Sequence, residues 1–122
     1  MRTEDTIQAA CVSYLDILAK QGRLDFFAVP NAARRNVRQA SHLKRTGMRA
    51  GVSDLILLFP MGRIFFIEVK TPKGRLSDSQ VAFNERVRAL GHFTYVVHSV
   101  DELKGVIDAI EGRRNAINVV EV

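Results

Sequence analysis

The sequence holds a single cysteine, few aromatic residues (7%), no acid between Phe26 and Ser53, and no apolar run near the length of a membrane span. Each shortage excludes something. One thiol, Cys11, allows no intramolecular disulfide, which suits a reducing compartment. With His42, His92 and His98 scattered along the chain, it also rules out a zinc site of Cys/His spacing. A spanning helix needs ~20 consecutive apolar residues. The opening MRTEDTIQAA has acids where a secretory signal needs an apolar core, so a cytoplasmic location is expected. No aromatic-rich surface offers to stack single-stranded RNA bases. Nor does any stretch resemble a recognition helix or zinc finger for reading base edges. Internal repeats, linkers and low-complexity segments are absent from the sequence.

What is present is the composition of a folded unit. The 122 residues are 47% hydrophobic and 25% charged, enough for one domain, residues 1–122, burying roughly two-thirds of its unfolded surface. Net charge is +5 and the sequence pI is near 9.9. That balance favours a polyanionic partner, most economically nucleic acid. The acid-free stretch carries Arg34, Arg35, Arg38, Lys44, Arg45 and Arg49. Most charge runs are solvated faces. With no acid to compensate, this one reads better as an arm that grips phosphates.

Patterning along the chain gives the elements. Residues 4–21 predict an amphipathic helix, with Thr3 as N-cap, Glu4 and Asp5 at the positive end and Gly22 as the stop. Its apolar stripe is Ile7, Ala10, Cys11, Tyr14 and Leu18, and Glu4 lies on that stripe one turn earlier. Residues 24–29 predict a buried strand ended by Pro30 and Asn31. Residues 33–46 have helical spacing in Val37, Ala40 and Leu43, with Gly47 after them. Ser77 and Gln80 form a capping box, with Leu76 and Val81 as its hydrophobic staple, opening a helix through Phe83, Val87 and Leu90 to Gly91. Residues 93–97 predict a strand. Ser99 and Glu102 open a last helix carrying Leu103, Val106, Ile107 and Ile110. His92 and His98 flank that strand as packing or capping groups. Residues 116–122 suit either an extra edge strand or a subunit contact.

The stretch from Gly51 to Gln80, GVSDLILLFPMGRIFFIEVKTPKGRLSDSQ, carries the chemistry. Apolar runs at residues 55–59 and 64–67 flank Pro60-Met61-Gly62 and predict two antiparallel strands joined by a tight turn. Asp54 opens the first, and Glu68 and Lys70 close the second. Alternation puts Glu68 and Lys70 on one face, roughly 6–7 Å apart along the strand, and turns Val69 into the packing. The hairpin brings Asp54 beside them at a sheet edge. Two close carboxylates repel unless a cation separates them. A divalent ion such as Mg²⁺ or Mn²⁺ takes hard oxygen ligands and leaves positions for water and a phosphate oxygen. Lys70 could then orient water or offset phosphate charge. The plainer alternative is an Asp at a strand start and a surface Glu–Lys pair. Apolar strands, the preceding Gly51 and the basic turn 71–75 with Lys73 and Arg75 favour the site.

The ordered set GVSDLILL, FFIEVKTPKGRLSDSQ and RALGHFTYVV, behind a helix bearing Glu4 and a Val29-Pro30-Asn31 segment, resembles the VRR-NUC family of the PD-(D/E)XK nuclease superfamily. The likeness runs from Glu4 to about Leu103. Small stand-alone members occur in phages and bacteria, and the same domain ends a eukaryotic DNA-repair nuclease. Ser53 stands where the superfamily's name has Pro, a turn residue and not a ligand. The resemblance implies an α/β fold with a restriction-endonuclease-like αβββαβ core, a mixed sheet flanked by helices. It implies hydrolysis of DNA phosphodiester bonds with Mg²⁺ or Mn²⁺ held by Asp54, Glu68 and the Val69 carbonyl, and Lys70 at the reacting phosphate. Glu4 would be an accessory ligand, directly or through water. Gln80 would face the metal site, a role that competes with its capping box. The same resemblance implies a homodimer resolving four-way DNA junctions in a bacterial or phage-infected cell. Repair or duplex cutting, or a catalytically idle DNA-binding module, are the alternatives.

Overall fold

The computed structural model describes residues 3–30 and 37–112, and for residues 37–40 the backbone alone. The first helix, α1 (Glu4–Lys20), starts where Thr3 Oγ1 accepts the Thr6 N–H at 3.1 Å. Its buried side is Ile7, Cys11, Leu15 and Leu18. Leu15 takes the place expected for Tyr14, because a 4-4-3 spacing keeps all four within one narrow arc. Tyr14 is half-buried, with the Lys104 ammonium 5.3 Å from its ring centre.

The elements that follow are β1 (Asp25–Ala28), α2 (Val37–Arg45), β2 (Leu55–Phe59), β3 (Arg63–Val69), α3 (Asp78–Ala89), β4 (Phe93–Val97) and α4 (Val100–Ile110). A 3₁₀ turn, Pro60–Gly62, joins β2 to β3 as the Pro-Met-Gly break predicts. The four strands form one sheet in the order β1-β2-β3-β4. β1 and β2 are antiparallel, β2 and β3 are antiparallel, and β3 and β4 are parallel. A parallel pair needs a crossover, and α3 supplies it. The result is the expected mixed sheet flanked by helices.

One face of the sheet makes the core. Leu55, Leu57, Phe59, Phe65, Ile67, Val69, Tyr95 and Val97 pack there against the buried sides of α1 and of α4, whose contribution is Leu103, Val106 and Ile107. The other face is covered by α3 over the β3 side, where the Phe83 ring meets Phe66 edge-on at 6.0 Å. That partial cover overturns one expectation. β1 is an exposed edge strand, not a buried one, and Phe27 is 50% exposed. Leu58 and Ile64, in register on the same face, are also exposed. β2 and β3 are the central strands, so Asp54, Glu68 and Lys70 stand at the rim of the sheet's middle. Neighbouring elements can therefore enclose them from both sides. The expected segments at 33–36 and 116–122 lie outside the described residues.

Candidate active site

Asp54 is fixed twice. Its carbonyl accepts the Val29 N–H at 2.9 Å, which extends the β1–β2 pairing by one rung. Its Oδ2 accepts the Val69 N–H at 2.7 Å, which ties it to the end of β3. The Lys70 N–H donates to the Val97 carbonyl at 3.0 Å, so the β3–β4 ladder runs through the site rather than fraying before it. Two backbone hydrogen bonds and the Asp54 side chain thus tie the site ends of all four strands together.

Glu68 is 1% exposed and Lys70 is 8% exposed, so both charged groups are taken out of water. Lys70 Nζ lies 3.9 Å from Glu4 Oε2, bringing the first turn of α1 to the ends of the central strands. Glu68 Oε1 accepts from Gln80 Nε2 at 2.8 Å. Its Oε2 is buried and has no hydrogen-bond donor. Burial above all, then a hydrogen bond to the Asp54 carboxylate and that carboxylate's charge, and last Glu4, pushes the Glu68 carboxyl up to about 9, with the Lys70 ammonium pulling the other way. A buried carboxylate beside another carboxylate favours whatever cation can sit between them, a proton included.

Both ends of the Gln80 amide are hydrogen-bonded, one within the capping box and one to Glu68. Its Oε1 accepts the Ser77 N–H at 2.8 Å, and its backbone N–H donates to Ser77 Oγ at 3.2 Å, completing the capping box. The other end of the same amide holds Glu68. One side chain therefore starts α3 and orients a carboxylate.

Two clefts meet at Asp54. One, about 290 Å³, is bordered by Arg49, Gly51, Ser77, Ser79 and Gln80. The other, about 230 Å³, is bordered by Glu4, Asp5 and Gln8. Of the expected phosphate-contacting residues, Arg49 lines the first cleft. Lys44 and Arg45 are exposed in the last turn of α2. Lys73 and Arg75 are exposed around a tight turn in which the Gly74 N–H donates to the Thr71 carbonyl. The side chain of Arg38 is not described, and Arg34 and Arg35 lie outside the described residues.

The metal expectation can be tested against the donor set. Asp54 and Glu68 supply hard oxygens, and Glu68 Oε2 is a buried acceptor in want of a donor or a cation. That fits Mg²⁺ or Mn²⁺. Glu4 pairs with Lys70, and among the described residues no three His, Cys, Asp or Glu side chains form a metal-holding group. The fit is thus to a two-carboxylate site completed by backbone, water and substrate oxygens.

The sequence reading missed one structural support, Gly51, and one buried polar side chain, Asn84, whose amide makes no hydrogen bond. Gly51 has φ +81°, and a Cβ there would lie 2.1 Å from the Ser79 carbonyl oxygen. Only glycine lets the Asp54 loop press against the first turn of α3. Asn84, 1% exposed, lies one helical turn beyond Gln80 on the sheet-facing side. Its i+4 spacing from Gln80 was the available signal. His98, by contrast, is the capping group expected: its ring Nδ1 lies 2.9 Å from Glu102 Oε1, which also accepts the His98 N–H.

A mixed sheet whose central strands end in a buried carboxyl, a partly buried carboxylate and a buried ammonium defines an α/β domain built around one acidic strand-end site. The comparisons agree with that class. Residues 4–101 match the family model of the VRR-NUC domain, and the chain belongs to that family. A phage protein, "Putative nuclease p44" of Acyrthosiphon pisum secondary endosymbiont phage 1, is 36% identical over 62 residues. That match spans 51% of this chain and 66% of the relative. Two solved structures named as VRR_NUC domains share the fold. One has a TM-score of 0.68 at 22% identity, covering 88% of this chain and 86% of its own. The other has a TM-score of 0.60 at 21% identity, covering 88% and 97%.

Proposed function

We propose that the chain is a divalent-cation-dependent endonuclease that hydrolyses phosphodiester bonds of DNA. The observation that carries this reading is the Glu68 carboxylate: buried, with one oxygen held by Gln80 and the other without a donor, beside Asp54 and Lys70. Family membership and the phage relative support the same reading.

Asp54 and Glu68 would hold Mg²⁺ or Mn²⁺, with the Val69 carbonyl as a third ligand and Glu4 reaching it through water. The ion's part, when bound, is to acidify water and polarise the phosphate. Asp54 is kept in place by the Val69 N–H, so it needs no reorganisation to do this. Lys70, desolvated and close to Glu4, presents a positive charge to the phosphate as charge builds during attack. Glu4 in turn keeps Lys70 directed into the site. Arg49, Lys44, Arg45, Lys73 and Arg75, with Arg34, Arg35 and Arg38 preceding them, would grip neighbouring phosphates without reading sequence. The finer substrate reading, a homodimer that resolves four-way junctions, rests on the family resemblance. Two-fold symmetry would supply one site for each of two cut strands.

The test is a cleavage panel of four-way junction, flap, nicked and linear DNA with Mg²⁺, Mn²⁺ or EDTA. Wild type should cut with either ion and not in EDTA, and Asp54→Ala should lose roughly 10²–10³-fold or more in rate. Lys70→Ala should keep DNA binding and lose cutting. Retained cutting by both variants overturns the enzyme assignment to this site. Linear duplex cut as fast as the junction overturns the junction reading alone.

A further inference from the structure

The proposed nuclease reading leaves open what decides the geometry of Glu68, and the start of α3 answers it. An amide side chain has two faces, one that accepts and one that donates, and its orientation must follow from its partners. The Ser77 backbone N–H can only donate. The Gln80 atom 2.8 Å from it is therefore the oxygen, and the atom 2.8 Å from Glu68 Oε1 is therefore the nitrogen. Reversing the amide would set N–H against N–H at one end and oxygen against carboxylate oxygen at the other.

We propose that Ser77, through its backbone N–H and the Gln80 amide, is a positioning residue that confines Glu68 to one-oxygen ligation of the cation through Oε2. Oε1 is occupied by Gln80 Nε2, and Oε2 is the oxygen with no donor. A capping box, ordinarily a device for starting a helix, here extends one hydrogen bond further, into the site. Its outer anchor is equally defined. Ser79, between the two box residues, has its carbonyl against Gly51, three residues before Asp54. The loop that delivers Asp54 and the turn that orients Glu68 are thus seated on each other. A carboxylate held by one oxygen suits a small ion with near-octahedral demands, since a two-oxygen grip would narrow the ligand angle.

The inference rests on the metal-dependent reading, so its test reads cation binding as well as cutting. Ser77 has φ −72°, which proline accepts, so Ser77→Pro removes the N–H while preserving the backbone conformation. It also removes the Oγ cap. Ser99→Ala controls for that loss, because Ser99 Oγ makes the same N-cap contact to Glu102 N–H at the start of a different helix, α4. Mn²⁺ affinity is measured by electron paramagnetic resonance on the full chain, together with kcat and KM on cleaved DNA. Ser77→Pro should weaken Mn²⁺ binding about tenfold or more and lower kcat with little change in KM for DNA, while Ser99→Ala binds Mn²⁺ like wild type. Should Ser77→Pro fail to fold, Gln80→Glu replaces it. That variant keeps the side-chain length and the bond to Ser77 but sets a carboxylate against Glu68 Oε1, and it should show the same loss. Equal Mn²⁺ affinity in wild type, Ser99→Ala and the folded Ser77→Pro or Gln80→Glu chain overturns the positioning role. Absence of Mn²⁺ binding and cutting by wild type overturns the nuclease reading itself.

Discussion

Glu68 has the most strained electrostatic position among the described residues with a resolved shift. Its carboxyl titrates near 9 in the folded chain, against about 4.3 in an unfolded one. Between those values the folded chain retains a proton that the unfolded chain has released. The stability this group contributes is therefore complete below the unfolded value and is lost as the pH climbs towards 9. In EDTA, thermal denaturation should show the melting temperature falling from pH 5 to pH 9. Saturating Mn²⁺ should reduce that slope by taking the proton's place, and Glu68→Gln should flatten it. A slope unchanged by the substitution would assign it to other groups. The same competition predicts that Mn²⁺ binds more tightly as the pH rises across this range. Glu68 and Lys70 were legible as candidate site residues because charge at the end of an apolar strand is conspicuous. How deeply Glu68 is buried was not, since burial depends on α3 arriving from elsewhere in the chain.

At the scale of elements, two turns carry predictions. Gly51→Ala meets both a positive φ and a 2.1 Å approach to the Ser79 carbonyl oxygen. It should destabilise the chain by roughly 2 kcal/mol or more, read by urea denaturation, and lower Mn²⁺ affinity as α3 shifts from Asp54. The 3₁₀ turn at the far end of the hairpin offers the opposite case. Met61 is 96% exposed and has φ +67°, a conformation that asparagine adopts at less cost than methionine. Met61→Asn should raise stability by about 0.5–1 kcal/mol with no change in cleavage. Helix starts were readable here because capping chemistry is local. Thr3, Ser77 and Ser99 each cap as their spacing indicates. β1 was misjudged as buried because its apolar residues do not reveal how far α3 extends across the sheet.

On the whole-molecule scale, basic charge borders the acidic centre at one residue and lies exposed on two further segments. Arg49 borders the cleft at Asp54, and Lys44, Arg45, Lys73 and Arg75 are exposed on the α2 and 71–75 segments. Under the proposed function, DNA binding should weaken steeply with salt, with the logarithm of affinity falling linearly against the logarithm of salt concentration. Measured by anisotropy in Ca²⁺ to separate binding from cutting, Arg49→Ala should reduce that slope by about 1 for all sequences alike. A slope unchanged by the substitution would remove Arg49 from the phosphate-contacting set.

The sequence by itself determined the order of helices and strands, the hairpin, the caps and the three charged residues at the strand ends. These are local features, set by periodicity, turn chemistry and the spacing of neighbours in the chain. Only the tertiary structure decided that β2 and β3 are central, that Glu4 meets Lys70, and that Gln80 serves both its helix and Glu68. Those contacts join residues far apart along the chain. Their geometry follows from how the helices pack on the two faces of the sheet, which no local pattern specifies.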